Sequence, residues 1–139
     1  MKPAASHHDL AATLQAGVQA LGLDLSSAQQ QSLLDFLDLL QKWNKVYNLT
    51  AVRNPQEMLT HHLLDSLAAV APLQRHLAQA RLEAPRLLDV GSGGGLPGVV
   101  FAICCPQLDV SCVDTVAKKA AFIQQVAVTL RLRNLHGIH

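Results

Sequence analysis

The segment Leu87-Leu88-Asp89-Val90-Gly91-Ser92-Gly93-Gly94-Gly95-Leu96-Pro97-Gly98 constrains this chain more than any other. Its opening residues have the apolar character of a short strand, and it runs into the apolar stretch 99–105. A strand, a tight turn and a helix, followed by another strand, commit the chain to parallel pairing, because the helix carries it back to the starting end of the sheet. Five glycines fall between positions 91 and 98, more than a plain turn requires. Glycine allows backbone conformations closed to other residues and lets a ligand approach the main chain closely. The exposed N–H groups and the positive end of the following helix then face that ligand. A nucleotide-like cofactor at the carboxyl end of the sheet is therefore expected.

The character of the sequence changes near residue 82. Residues 1–82 read as an N-terminal helical region and residues 83–139 as a region of alternating strands and helices. Leu10, Leu14, Val18 and Leu21 recur at helical spacing, and Gly22 closes that helix. Leu33, Leu37, Leu40 and Trp43 form a second stripe, with Ser26 or Ser27 as its cap. The polar run 44–50 is expected to be a loop. Asn54, Pro55 and Glu57 mark the start of a third helix carrying Met58, Leu59, Leu63 and Leu67, which Pro72 is expected to end. A short helical piece over 73–82 follows. Strands are then expected at 86–90 and 109–114 and from His136 onward, with helices at 99–105 and 118–132. In the last helix Ala121, Phe122, Val126 and Leu130 are expected to face inward.

Composition narrows the field. The 139 residues are 50% hydrophobic and only 15% charged, which suits a folded core and argues against disorder. The longest apolar run is seven residues, whereas a membrane span needs about 20. Residues 1–9 have no apolar core of a signal peptide, so none is expected. A net charge of +1 does not suggest a general nucleic-acid coating protein. Cys104, Cys105 and Cys112 lie in apolar segments and are odd in number, which predicts buried free thiols and a reducing, cytoplasmic setting. The pairs His7-His8 and His61-His62 lack metal-ligand spacing, and no metal site is expected.

Asp89 discriminates between cofactors. Gly93, Gly95 and Gly98 satisfy the spacing of a dinucleotide fingerprint, so a nicotinamide-type oxidoreductase is formally open. A carboxylate at the end of the first strand would repel a pyrophosphate. The same carboxylate suits a cofactor with a cationic amino group and no phosphate, such as S-adenosylmethionine. Asp114 ends the second strand, 19 residues after Gly95, where an acid that hydrogen-bonds ribose hydroxyls is expected. This pattern resembles the class I S-adenosylmethionine-dependent methyltransferases.

Three motifs in order narrow the resemblance: Trp43-Asn44-Lys45-Val46-Tyr47-Asn48-Leu49-Thr50-Ala51-Val52-Arg53, then His62-Leu63-Leu64-Asp65-Ser66, then the glycine-rich segment. Together they resemble one bacterial family, glucose-inhibited division protein B, or ribosomal RNA small-subunit methyltransferase G. The resemblance covers the chain from Leu21 to Gly137. It implies an α/β fold in which a helical region precedes an incomplete class I methyltransferase (Rossmann-like) sheet over residues 83–139. It also implies methyl transfer to N7 of a guanosine in 16S rRNA, on the free RNA or the small ribosomal subunit. The cofactor site implied comprises Asp89, Gly91, Ser92, Gly93, Gly95, Leu96 and Asp114. Arg53, His62, Asp65 and Ser66 match positions at its mouth, and Lys118 and Lys119 match basic positions that meet RNA phosphate. Where many relatives carry a further basic residue, this chain has Ala121.

The chemistry so implied asks little of side chains. Guanine N7 carries a lone pair and no proton, so no general base is needed and no catalytic residue is assigned. Alignment and electrostatics suffice. The family continues beyond residue 139, so this sequence is expected to hold about half of the cofactor-binding fold. Its first strand would present an open edge through Leu87, Leu88 and Val90, giving a monomer or weak self-association. Alone, the chain is expected to bind cofactor weakly or not at all, or to be an inactive methyltransferase-like fragment or binding module.

Overall fold

The computed structural model describes residues 7–51, 54–91 and 93–139, with only the backbone at positions 7 and 8. The chain runs α1 (His7–Ala20), α2 (Ser27–Tyr47), α3 (Pro55–Glu57), a π-helical segment (Met58–Leu63), α4 (Leu64–Ala68) and α5 (Val70–Ala80). It continues β1 (Arg86–Val90), α6 (Gly98–Cys104), β2 (Asp109–Val113), α7 (Ala117–Thr129) and β3 (Leu135–Ile138). This is an α/β architecture with a parallel three-stranded sheet in the order β1-β2-β3. Arg86 pairs with Asp109 and Val90 with Val113, while Val110 pairs with Leu135.

Local chemistry accounts for most element boundaries. Ser26 caps α2 in a reciprocal box with Gln29, satisfying first-turn N–H groups that have no helical acceptor. Asn54 accepts from Gln56 and Glu57, and Pro55 takes the first helical position. Gly22 has φ +68° and closes α1 as expected.

Several expectations are corrected. Helix α2 does not end at Trp43 but continues through Tyr47. Asn44, read as the start of a polar loop, is 2% exposed, and its side chain accepts from the Thr50 N–H at 2.8 Å. The helix stops at Asn48 in the left-handed conformation, whose N–H donates to the Asn44 carbonyl. Pro72 does not end the third helix. The break comes at Ala69, and Pro72 sits in the first turn of α5, where a missing N–H deprives the helix of no bond. In α7 the inward residues are Ala120, Phe122, Ile123 and Val126, while Ala121 is exposed. Ala120, Ile123 and Val126 keep the helical spacing on the face that meets the sheet.

Helices α6 and α7 cover one face of the sheet, as two right-handed crossovers in this strand order require. Val110, Cys112 and Leu135 are buried on that face. One hydrophobic core joins it to the helical region, from Leu14, Phe36 and Leu40 through Leu59, Leu63 and Leu67 to Val99, Phe122 and Ile123. Burial on this scale is the main stabilising term for a chain of this size. On the opposite face Leu88 is 62% and Val90 72% exposed, and among the described residues β1 pairs on one edge only. Cys104, Cys105 and Cys112 are buried, and none of them forms a disulfide among the described residues. Among the described residues no helix is long and apolar enough to cross a membrane.

Candidate functional site

The glycine-rich turn lies where the parallel strands end. The Gly91 N–H donates to the Val113 carbonyl at 2.8 Å, extending the β1–β2 ladder by one bond before the chain turns. Gly91 has φ +73°, and a side chain there would meet nothing within 4 Å. Its backbone is therefore open to an approaching ligand. Gly95 combines φ +92° with close packing, since an added Cβ would lie 2.6 Å from Val99 Cγ2 and 2.8 Å from Ile123 Cδ1. The first position exposes backbone, whereas the second lets the turn descend onto the core.

Two carboxylates flank the turn. Asp89 is partly buried at the end of β1, and its Oδ2 accepts from the Gly98 N–H at 3.0 Å. Burial pushes the Asp89 carboxyl above the ordinary carboxylate range, and the Gly98 N–H pulls the other way with less effect. Asp114 follows β2. Its Oδ1 accepts from the Val116 N–H at 2.8 Å and its Oδ2 from the Gly93 N–H at 3.3 Å. Asp89, Gly93 and Asp114 are thus gathered at one end of the sheet. The Gly93 bond is long and weakly held, so Oδ2 can exchange it for a hydroxyl donor.

The helical region seats the turn from the other side. A Cβ added at Gly93 would lie 3.7 Å from the Leu49 carbonyl oxygen, and one at Gly94 would lie 3.1 Å from Leu40 Cδ1. A cavity of about 240 Å³ between the two parts is lined by Leu49, Thr50, Met58, His62, Gly93 and Leu96, among others. A neighbouring cavity of about 310 Å³ shares His62 and Leu96 and adds Asp65, Ser66 and Pro97. A larger concavity of about 510 Å³, lined in part by Pro85, Arg86, Leu88 and Ser111, lies on the uncovered sheet face away from the turn. Size alone would select it, but neither the glycine turn nor Asp89 or Asp114 lines it.

The π-helical segment was not foreseen. Within it the Leu64 N–H reaches back five residues to the Leu59 carbonyl. The wide turn inserts an extra residue into the helix, and such insertions are common at functional sites. Here it contains His62 and leads directly into α4, which carries Asp65 and Ser66.

Lys118 and Lys119 lie in the first turn of α7, as the sequence placed them. Lys118 Nζ stands 5.1 Å over the Tyr47 ring, and Trp43 lies 5.3 Å from Tyr47 and 5.5 Å from Phe122. A ladder of aromatic rings thus runs from the core to this lysine, stabilised in part by cation–π attraction. The four-residue spacing of Trp43 and Tyr47 is the sequence signal for this ring pair. Arg53 and Ser92 lie outside the described residues. Among the described residues no group of three or more His, Cys, Asp or Glu side chains is close enough to hold a metal.

The half-buried Asp89 carboxylate at the end of β1 favours a cation, and Asp114 suits hydroxyl groups. Residues 29–139 match the family model described as rRNA small subunit methyltransferase G. The chain is 76% identical over 139 residues to ribosomal RNA small subunit methyltransferase G of Paracidovorax citrulli, covering 94% of this chain and 57% of that protein. It is 78% identical over 131 residues to the protein of that name from Acidovorax sp. JS42, covering 91% and 58%. For the Acidovorax ebreus protein the identity is 74% over 139 residues, covering 96% and 62%. The chain therefore spans under two thirds of the length of these relatives. It belongs to the rRNA small subunit methyltransferase G family.

Proposed function

We propose that this chain forms the cofactor-binding part of an S-adenosylmethionine-dependent methyltransferase that modifies N7 of a guanosine in 16S rRNA, acting in the cytoplasm on the RNA or the small ribosomal subunit. The observation that carries this reading is Asp89. Its carboxylate is partly buried beside a glycine turn with an open backbone face. A bound cation would restore the charge balance that burial disturbs. A dinucleotide's pyrophosphate would worsen it.

Asp89 would hold the amino group of S-adenosylmethionine, with the backbone of Gly91, Ser92, Gly93, Gly95 and Leu96 around its methionine part and Asp114 on its ribose. When bound, that cofactor supplies an electrophilic methyl group. The chain's residues orient and exclude water: Leu40, Leu49 and Met58 close the apolar side of the turn. No side chain needs to remove a proton, because guanine N7 bears none. Arg53, His62, Lys118 and Lys119 would contact the RNA, with the lysines on phosphate. The uncovered face and free edge of β1 favour weak self-association of this chain.

Isothermal titration with S-adenosylmethionine and with NADH tests the reading. Binding of the former weaker than micromolar and lost in Asp89→Asn, with no binding of the latter, is expected. Tight NADH binding, or S-adenosylmethionine binding indifferent to Asp89→Asn, refutes it. Methyl transfer from labelled cofactor to unmodified small subunits separates the enzyme from an inactive binding module.

A further inference from the structure

The second cavity beside the glycine turn has two unlike walls. One is the apolar pair Leu96 and Pro97. The other is a stripe of α4 and its approach, His62, Asp65, Ser66 and Ala69. These four stand at positions i, i+3, i+4 and i+7, which places them on one helix face. The adjoining face, Leu63, Leu67 and Val70, is fully buried. The polar stripe is therefore not spent on the core. The side chains of His62, Asp65 and Ser66 have no hydrogen-bond or ion-pair partner among the described residues.

A slot of about 310 Å³ with an apolar wall and a polar wall fits a flat ring with apolar faces and a polar edge. The Asp65 carboxylate sets side by side two acceptors and no donor. Guanine alone among the common bases presents two adjacent donors, N1–H and the N2 amino group, on its pairing edge. Adenine offers a donor beside an acceptor, and its N1 lone pair would face the carboxylate. Uracil offers one donor between two acceptors. Beside Asp65, the His62 ring and the Ser66 hydroxyl can donate, which suits guanine O6.

We propose that this slot receives an unstacked guanine and that Asp65 selects it, accepting N1–H and the N2 amino group as a bidentate pair while His62 and Ser66 donate to O6. The inference rests on the methyl-transfer reading above and names the residue that sets its base specificity. Engagement of the pairing edge leaves N7, on the far edge of the purine, free of the protein. The base must leave its stack to enter, as in other enzymes that act on a base.

Titration of the 139-residue chain with guanosine, inosine and adenosine 5′-monophosphates, followed by amide chemical shifts, tests the proposal. Guanosine monophosphate is expected to bind about 5- to 150-fold tighter than adenosine monophosphate, the span for a bidentate base contact. Inosine monophosphate, which lacks the N2 amino group, falls between them, and shifts centre on residues 62–66. Asp65→Asn brings guanosine and adenosine monophosphates within about twofold of each other while the remaining spectrum is unchanged. Equal binding of the two by the wild-type chain, no binding of either, or a guanine preference intact in Asp65→Asn overturns the proposal. Methyl transfer to small subunits is measured in parallel. Transfer that stays confined to guanosine in Asp65→Asn removes the role of Asp65 and leaves the enzyme reading standing. Guanine preference without any transfer upholds the slot and counts against that reading.

Discussion

Replacing Gly98 by Ala tests how tightly the glycine turn is locked to the sheet. Gly98 is not in the left-handed region, so its conformational freedom is not at stake. What matters is close approach: a Cβ there would lie 2.6 Å from Cys112 Sγ and 2.8 Å from Asp89 Oδ2. Optimal carbon contacts are about 3.5–4.0 Å, so the overlap is about 1 Å. Cys112 is buried on the central strand and has no room to withdraw. Helix α6 must shift instead. Overpacking of this kind costs about 1–3 kcal/mol. The shift also loosens the bond from Gly98 to the Asp89 carboxylate, and a bond to a charged group contributes about 1.5–3 kcal/mol when fully made. With that bond partly lost, destabilisation of about 2–5 kcal/mol is expected. At roughly 3–5 °C per kcal/mol for a chain of this size, Tm falls by about 6 °C or more. Thermal unfolding of the wild type, Gly98→Ala, Cys112→Ala and the double variant measures this. Removing Sγ relieves part of the clash, so the double variant should be at least about 1 kcal/mol more stable than additivity allows. A Tm for Gly98→Ala within about 2 °C of wild type, or strict additivity in the cycle, would refute the packing argument.

Three further outcomes follow from other parts of the structure. Because burial raises the Asp89 pKa, the folded state binds the proton more tightly than the unfolded state, and stability falls as pH rises through the folded value. Asp89→Asn, which keeps an acceptor for the Gly98 N–H, should therefore have the higher Tm at pH 7. That advantage should vanish below the unfolded carboxylate value, and a pH-independent gap would contradict the assignment. Asn44→Ala removes a buried acceptor from the Thr50 N–H and should lower stability by about 1–3 kcal/mol in urea unfolding. A change under about 0.5 kcal/mol would show that the bond does not hold the end of α2. The Cys104 thiol is pushed up to about 12 by burial and then by its neighbour Cys105, and Cys105 is also raised by burial. Both remain protonated and shielded at pH 8, so alkylation should require unfolding, and prompt labelling of the native chain would contradict their burial.

The alternation of strand and helix after Arg86 was legible because its signals are local. Apolar runs of strand length, the glycine cluster and Pro106 all act on neighbouring residues. The caps at Ser26 and Asn54 were legible for the same reason, since a cap bonds N–H groups two or three residues away. Asn44 was misread because its propensity points to a loop, while the packed environment at residues 44–50 gives its side chain a buried partner. The π-helical turn and the break at Ala69 have no comparable sequence signature. They arise where Met58, Leu59, Leu63, Leu67 and Val70 must all reach one core.

The sequence by itself determined that the chain carries parallel strands, a glycine turn at their carboxyl end and two acids beside it, because each depends on short-range periodicity and residue chemistry. Only the tertiary structure decided what those groups meet. It set Asp89 on the Gly98 N–H, Asp114 on the Gly93 N–H, Lys118 over Tyr47, and Asp65 in a slot against Leu96 and Pro97. These contacts join residues distant in the chain, and their geometry is fixed by how the helical region packs on the sheet, which no local pattern encodes.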